Sequence, residues 1–103
     1  MEQLDKKFSE KLSRSLELAL GPKITGVVYS VLKSEYGIEK EEVPANPAVL
    51  KLVLEKLFGN TGMDFLETLI SKQIVAEFNL PAEYEEEELP AILMRARQEI
   101  FLD

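Results

Sequence analysis

A chain of 103 residues with 46% hydrophobic and 30% charged side chains has the balance of one ordinary globular domain, which excludes a disordered chain and a two-core architecture alike. The formal charge is −7, and the lack of cysteine and histidine removes disulfides, thiolate metal sites and the commonest acid–base group. No apolar run is long enough to span a membrane and no leader pattern is present, so a reducing cytosol is the expected compartment.

Residues 3–20 read as a first helix, because Leu4, Phe8, Leu12, Leu16 and Ala19 recur three and four apart as one apolar stripe. Glu2–Lys6 and Glu10–Arg14 have the spacing of helical ion pairs, worth about 0.2–0.5 kcal/mol each. Gly21-Pro22 ends this helix and opens the next, since proline at a first helical position lacks only an N–H that would be unpaired there. The second helix, 23–36, is predicted to bury Ile24, Val27, Val28, Val31 and Leu32. Four of these five are β-branched, but they come in pairs three and four apart, which is the helical period and not alternation.

The stretch Tyr36–Pro47 is the longest joint in the chain. Gly37 is a helix stop, and Asn46-Pro47 a helix start in which the Asn side chain can accept an orphan N–H. Between them Ile38, Val43 and Pro44 are expected to form an extended, partly buried strap.

A third helix, 47–58, carries Val49, Leu50, Val53, Leu54, Leu57 and Phe58 around more than half its circumference, the mark of a central helix. Gly59-Asn60 stops it, and Thr61 with Asp64 has the spacing of a capping box for a fourth helix running to 78. That helix puts Met63, Leu66, Ile70, Ile74 and Phe78 on one face, and Phe65 and Leu69 on a second. Two apolar faces call for two neighbours or another chain. Asn79-Leu80-Pro81 closes it.

The charge then shifts. Residues 1–80 carry ten Lys/Arg against twelve Asp/Glu, while residues 81–103 carry two against seven. Pro81 therefore divides a helical core domain, 1–80, from an acidic spacer and C-terminal amphipathic helix, 81–103. Leu89, Ile92, Leu93, Ala96 and Ile100 form the stripe of that last helix, preceded by Glu83 and Glu85 to Glu88, where the helix dipole favours negative charge. Two readings stand for it: packing on its own bundle, or docking on a partner chain. Met63 and Met94 are expected as gap-filling core, and no internal repeat is evident. The architecture is an all-α bundle of about five helices, two antiparallel hairpins plus the C-terminal helix.

Chemistry is scarce. Consecutive glutamates at 85–88 point in different directions and lack a glycine turn, so they read as a solvated linker and not as a metal site. Tyr29 and Tyr36 lie beside apolar faces, the usual place for a core tyrosine with its hydroxyl at the rim. No catalytic, cofactor or metal residue is assigned. Lys7, Lys11 and Arg14 line one side of the first helix and carry the alternative of a nucleic-acid-associated regulator. Against it, the helix that a helix-turn-helix reading would place in the groove has Asp64, Glu67 and Glu77 against Lys72, so neither nucleic acid nor membrane is expected as partner. A small enzyme or regulatory subunit using carboxylate or tyrosine chemistry is the other alternative. The leading expectation is a non-enzymatic module that docks a protein partner or a second copy, as a homodimer, through Phe65, Leu69, Leu89, Ile92, Leu93, Ala96 and Ile100.

Ser34 to Ile38, then Val43-Pro44 and Pro47, then Leu57-Phe58-Gly59, then Leu66-Glu67 and Leu69-Ile70 resemble a family of small archaeal helical domains of the nitrosopumilus output domain type. The likeness covers roughly residues 8–80 and leaves 81–103 outside. It implies an archaeal source, an all-α fold and a role in protein interaction or signal output. No catalytic residue comes with it.

Overall fold

A computed structural model describes residues 2–102 of the chain, and the side chains of residues 6–98. Among the described residues there is no strand. Five helices account for most of the chain: α1 (Glu2–Leu20), α2 (Pro22–Tyr36), α3 (47–58), α4 (60–78) and α5 (Leu89–Leu102). Two short 3₁₀ turns, Lys40–Ala45 and Ala82–Glu86, complete it. The run Pro47–Phe78 is helical throughout except at Gly59, whose φ of 76° and ψ of 167° break it into α3 and α4.

The two hairpins turn in the same way. Gly21, between α1 and α2, has φ 90° and ψ 156°, the same region of backbone space as Gly59 and one that essentially only glycine occupies. A single glycine suffices to fold each pair of helices back on itself. Ser13 and Tyr29, eight residues either side of Gly21, face each other, and Lys51 and Glu67, eight residues either side of Gly59, form an ion pair at 3.4 Å. Antiparallel arms are the only arrangement that brings such residues together.

The equivalence runs further. Shifted by the distance between the two glycines, Leu12 falls on Leu50, Leu16 on Leu54, Thr25 on Met63 and Leu32 on Ile70, and all eight are buried. After each hairpin comes a left-handed residue, Gly37 (φ 65°) or Asn79 (φ 57°), then a 3₁₀ turn, then the next helix. The fold is thus a helix–glycine–helix–turn unit used twice and closed by α5. The sequence hid this repeat because only positions such as Leu12/Leu50, Leu16/Leu54 and Gly21/Gly59 keep the same residue; burial repeats where identity does not.

The strap between the units differs from expectation. It is not extended: Lys40–Ala45 winds into a 3₁₀ turn, with Glu39 and Glu42 forming a reciprocal capping box. Val43 and Pro44 are buried by that turn, and the Ser9 hydroxyl donates to the Lys40 carbonyl at 3.1 Å, laying the strap along α1. Asn46 does not cap α3; its side-chain nitrogen instead donates back to the Glu42 carbonyl at 2.8 Å. Thr61 and Asp64 form no capping box either, because α4 is already helical at Asn60 and Thr61 lies inside its first turn. On α1, Arg14 turns to Glu77 of α4 at 3.2 Å and not to Glu10. The Glu2–Lys6 pair and Leu4 lie outside the described side chains.

The core joins all five helices: Phe8, Leu12 and Leu16 of α1, Val28 and Leu32 of α2, Leu50, Val53 and Leu54 of α3, Met63, Ile70, Ile74 and Phe78 of α4, and Leu89, Ile92, Leu93 and Ala96 of α5. Phe8 and Phe78 meet with ring centroids 5.0 Å apart, in the tilted geometry aromatic pairs favour. Ile24 and Val27, expected inside, are exposed; α2 buries Thr25 in their place, its hydroxyl donating to the Gly21 carbonyl at 2.8 Å so that no polar group is orphaned. Leu57 and Met94 are likewise on the surface. No described helix is long and apolar enough to cross a membrane.

Candidate interaction surface

The seven residues expected to meet a partner divide sharply. Leu89, Ile92, Leu93 and Ala96 are at most 1% exposed, packed into the core of their own chain. The stripe of α5 is therefore used in cis, and these four do not offer a free surface. Phe65 is 69% exposed and Leu69 half-buried, so only the second face of α4 remains open to a partner. The Ile100 side chain lies outside the described residues.

What seats α5 is polar as well as apolar. Oε2 of Glu67 on α4 accepts the backbone N–H of Leu89 at 2.9 Å and stands 3.4 Å from the Lys51 ammonium of α3. Lys51 in turn lies 3.8 Å from Glu88. The buried Ser71 hydroxyl donates to the Glu87 carbonyl at 3.4 Å. Glu67 thus caps the last helix from outside. Of the glutamates that precede the helix, Glu87 accepts from Arg95 Nε at both carboxylate oxygens, at 2.8 and 2.7 Å, and the guanidinium lies 4.6 Å over the Tyr84 ring.

The exposed apolar residues repeat with the fold. Phe65 and Leu69 stand six and ten residues after Gly59; Val27 and Val31 stand six and ten residues after Gly21. In each pair the first residue is exposed and the second half-buried. Ile24 adds to the α2 member. Sequence reasoning missed Val27 as a surface residue, although its offset from a helix-ending glycine was the available signal.

Shallow clefts among the described residues indent the surface. One of about 480 Å³ lies between α4 and the second 3₁₀ turn, where Thr68 and Lys72 face Glu83, Glu85 and Glu86. A second of about 310 Å³ lies among Lys7, Glu10, Lys11, Arg14 and Glu77. There the basic stripe of α1 is largely engaged: Arg14 pairs with Glu77, and the Lys11 ammonium sits 5.4 Å over the Phe78 ring. A third, about 220 Å³, is formed by Ala91, Met94, Arg95 and Gln98 of α5 alone. No group of three or more metal-ligating side chains is brought together among the described residues.

Tyr29 is the one buried polar group without a partner among the described residues. Burial pushes its phenol up to about 12, against a lowering by Ser13, which faces it without reaching hydrogen-bond geometry, and with a further raising by the Glu17 charge. The Lys40 ammonium lies 5.5 Å over its ring.

Compared with protein-family models, with characterised proteins and with solved structures, the chain matches none.

Proposed function

We propose that this chain is a non-enzymatic protein-interaction module that docks a protein partner, or a second copy of itself, through the α4 face formed by Phe65 and Leu69. The observation that carries the reading is Phe65: a phenylalanine left 69% exposed beside a half-buried leucine one turn on. Covering a large apolar side chain is worth about 1.5–3 kcal/mol, which this chain leaves uncollected by itself and a partner would recover. Aromatic side chains are enriched at the energetic centres of interfaces, and the pair sits on a helix held rigid by its other face in the core. The resemblance of residues 8–80 to small archaeal output domains points to the same kind of role.

The test is Phe65→Glu, which places a charge at the centre of the proposed face while leaving the core untouched. Full-length protein and variant, tagged alike and melting alike, are used to recover partners from a native extract and are sized by light scattering. The reading expects loss of the recovered partner, or of self-association, in the variant alone. An identical recovered set and an identical mass for both would overturn it.

A further inference from the structure

We propose that the α4 face takes a basic amphipathic segment of another protein, with its apolar residues on Phe65 and Leu69 and its lysines or arginines in the acidic cleft farther along the same helix. The inference rests on the reading of that face as a docking surface and adds the chemistry of the partner.

Both features lie on one side of α4. Phe65, Thr68, Leu69 and Lys72 stand three and four residues apart, so they form a single stripe, and all four are exposed or half-buried. Thr68 and Lys72 also make one wall of the cleft of about 480 Å³ whose other wall is Glu83, Glu85 and Glu86. At about 1.5 Å of rise per residue, Lys72 lies about 10 Å along the axis from Phe65, two turns of helix. A segment lying along α4 therefore meets an aromatic ring first and carboxylates two turns later.

The carboxylates of that wall are not taken up by the fold. Glu87 is held by Arg95 and Glu88 stands 3.8 Å from Lys51, so these neighbours have cations of their own. Glu85 and Glu86 make no ion pair among the described residues, and neither does Lys72 across from them. Glu83 acts on Arg95 only at longer range than an ion pair. Glu85 is half-buried, so its charge gives up part of its water without a cation in return. Three carboxylates against one ammonium leave the cleft negative. The turn that carries them is set in advance: Arg95 grips Glu87 and lies over the Tyr84 ring, and Tyr84 leans on the core. A partner finds the wall already in place, which lowers the entropy lost on binding.

The same charges disfavour other occupants. A second copy brings a formal charge of −7, and its basic stripe is largely engaged, Arg14 with Glu77 and Lys11 over the Phe78 ring. Nucleic acid and anionic lipid are repelled by the glutamate wall. The repeat supplies an internal control. Ile24 and Val27 make the corresponding apolar face of α2, but the 3₁₀ turn that follows α2 packs along α1 instead.

The experiment is fluorescence anisotropy of the full-length protein with labelled, alanine-based helical peptides. One peptide carries two leucines four residues apart and three lysines beginning two turns farther along the same face. A second has glutamate for each lysine, and a third alanine for each leucine. The leucine–lysine peptide is expected to bind about tenfold more tightly than either of the others, with an affinity that falls as salt rises. Phe65→Glu should weaken it about tenfold although the variant is the more acidic protein, which attraction of charge alone would not do. Val27→Glu, which adds the same charge on α2, should not weaken it. Glu85→Lys with Glu86→Lys should weaken it about tenfold, and Glu85→Gln with Glu86→Gln by less. Neither double variant removes a contact of the fold, and matched melting curves check that. No binding of the leucine–lysine peptide, equal binding of either control peptide, or indifference to the Glu85 and Glu86 variants would each overturn the inference. Weakening by Val27→Glu as large as that by Phe65→Glu would do the same. Recovery from extract with Phe65→Glu judges the docking face by itself, so that reading stands or falls separately.

Discussion

Glu67 accepts the backbone N–H of Leu89 at 2.9 Å, so the last helix begins on a carboxylate that belongs to a different helix twenty-two residues upstream. The first turn of a helix carries unpaired N–H groups, and a negative group there answers both the hydrogen-bond and the dipole demand. Here one side chain meets that demand and also holds Lys51, so α3, α4 and α5 converge on a single carboxylate.

Glu67→Ala should therefore cost about 1–2 kcal/mol, read from the urea midpoint, because a cap and a partly buried ion pair vanish together. Glu67→Gln keeps an acceptor oxygen for Leu89 and loses only the charge, so it should fall between the two. Equal losses for the two variants would mean that the charge, and not the cap, is what matters.

The three glycines at and near the corners should respond with opposite signs. Gly21→Ala and Gly59→Ala meet no neighbour within 4 Å, so their cost is conformational alone, about 1–3 kcal/mol each at positive φ with extended ψ. Gly26, inside α2 with equally open space, should gain about 0.5–1 kcal/mol as alanine. Thermal melting of the three single variants checks this ordering.

Tyr29→Phe should be neutral or stabilising, since it removes a buried hydroxyl that has no partner. The same group makes the fold alkali-sensitive. Its folded-state pKa of about 12 lies above the ordinary 10, so the folded chain holds the proton more tightly. That contribution is complete below pH 10 and lost between 10 and 12, amounting to about 2–3 kcal/mol. Melting curves across that range should fall for the wild type and fall less for Tyr29→Phe.

Leu93→Ala should cost about 2–5 kcal/mol by opening a cavity under α5, whereas Phe65→Ala should stay within about 0.5 kcal/mol. A large loss at Phe65 would mean that its ring is covered in solution, and hence that the chain is not monomeric under the conditions of the melt.

Much of the fold was legible in the residues. The stripe Phe8–Leu12–Leu16 names the buried face of α1 without ambiguity, and each of the first four helices ends beside the predicted Gly or Asn. What misled was local chemistry with more than one outlet. Asn46 has a side chain that can cap, but the 3₁₀ turn beneath it presents the Glu42 carbonyl, and the amide group donates there instead. Thr61 has capping-box spacing, but Gly59 starts the helix two residues earlier. Ile24 and Val27 have core character, but the corner at Gly21 rotates α2 so that Thr25 takes the inner position.

Periodicity settled that the chain is helical and which stripes are greasy, because spacing of three and four residues is a property of a helix before it meets any neighbour, and Gly, Asn and Pro marked where the helices stop. Only the tertiary structure decided that α5 lies on its own body, that Glu67 caps it, and that Phe65 is left outside while Leu93 is enclosed. The reason is that a stripe states how much surface must be covered and is silent about what covers it. Covering depends on how the two glycine corners aim their helices, and that direction exists only once the whole chain has folded.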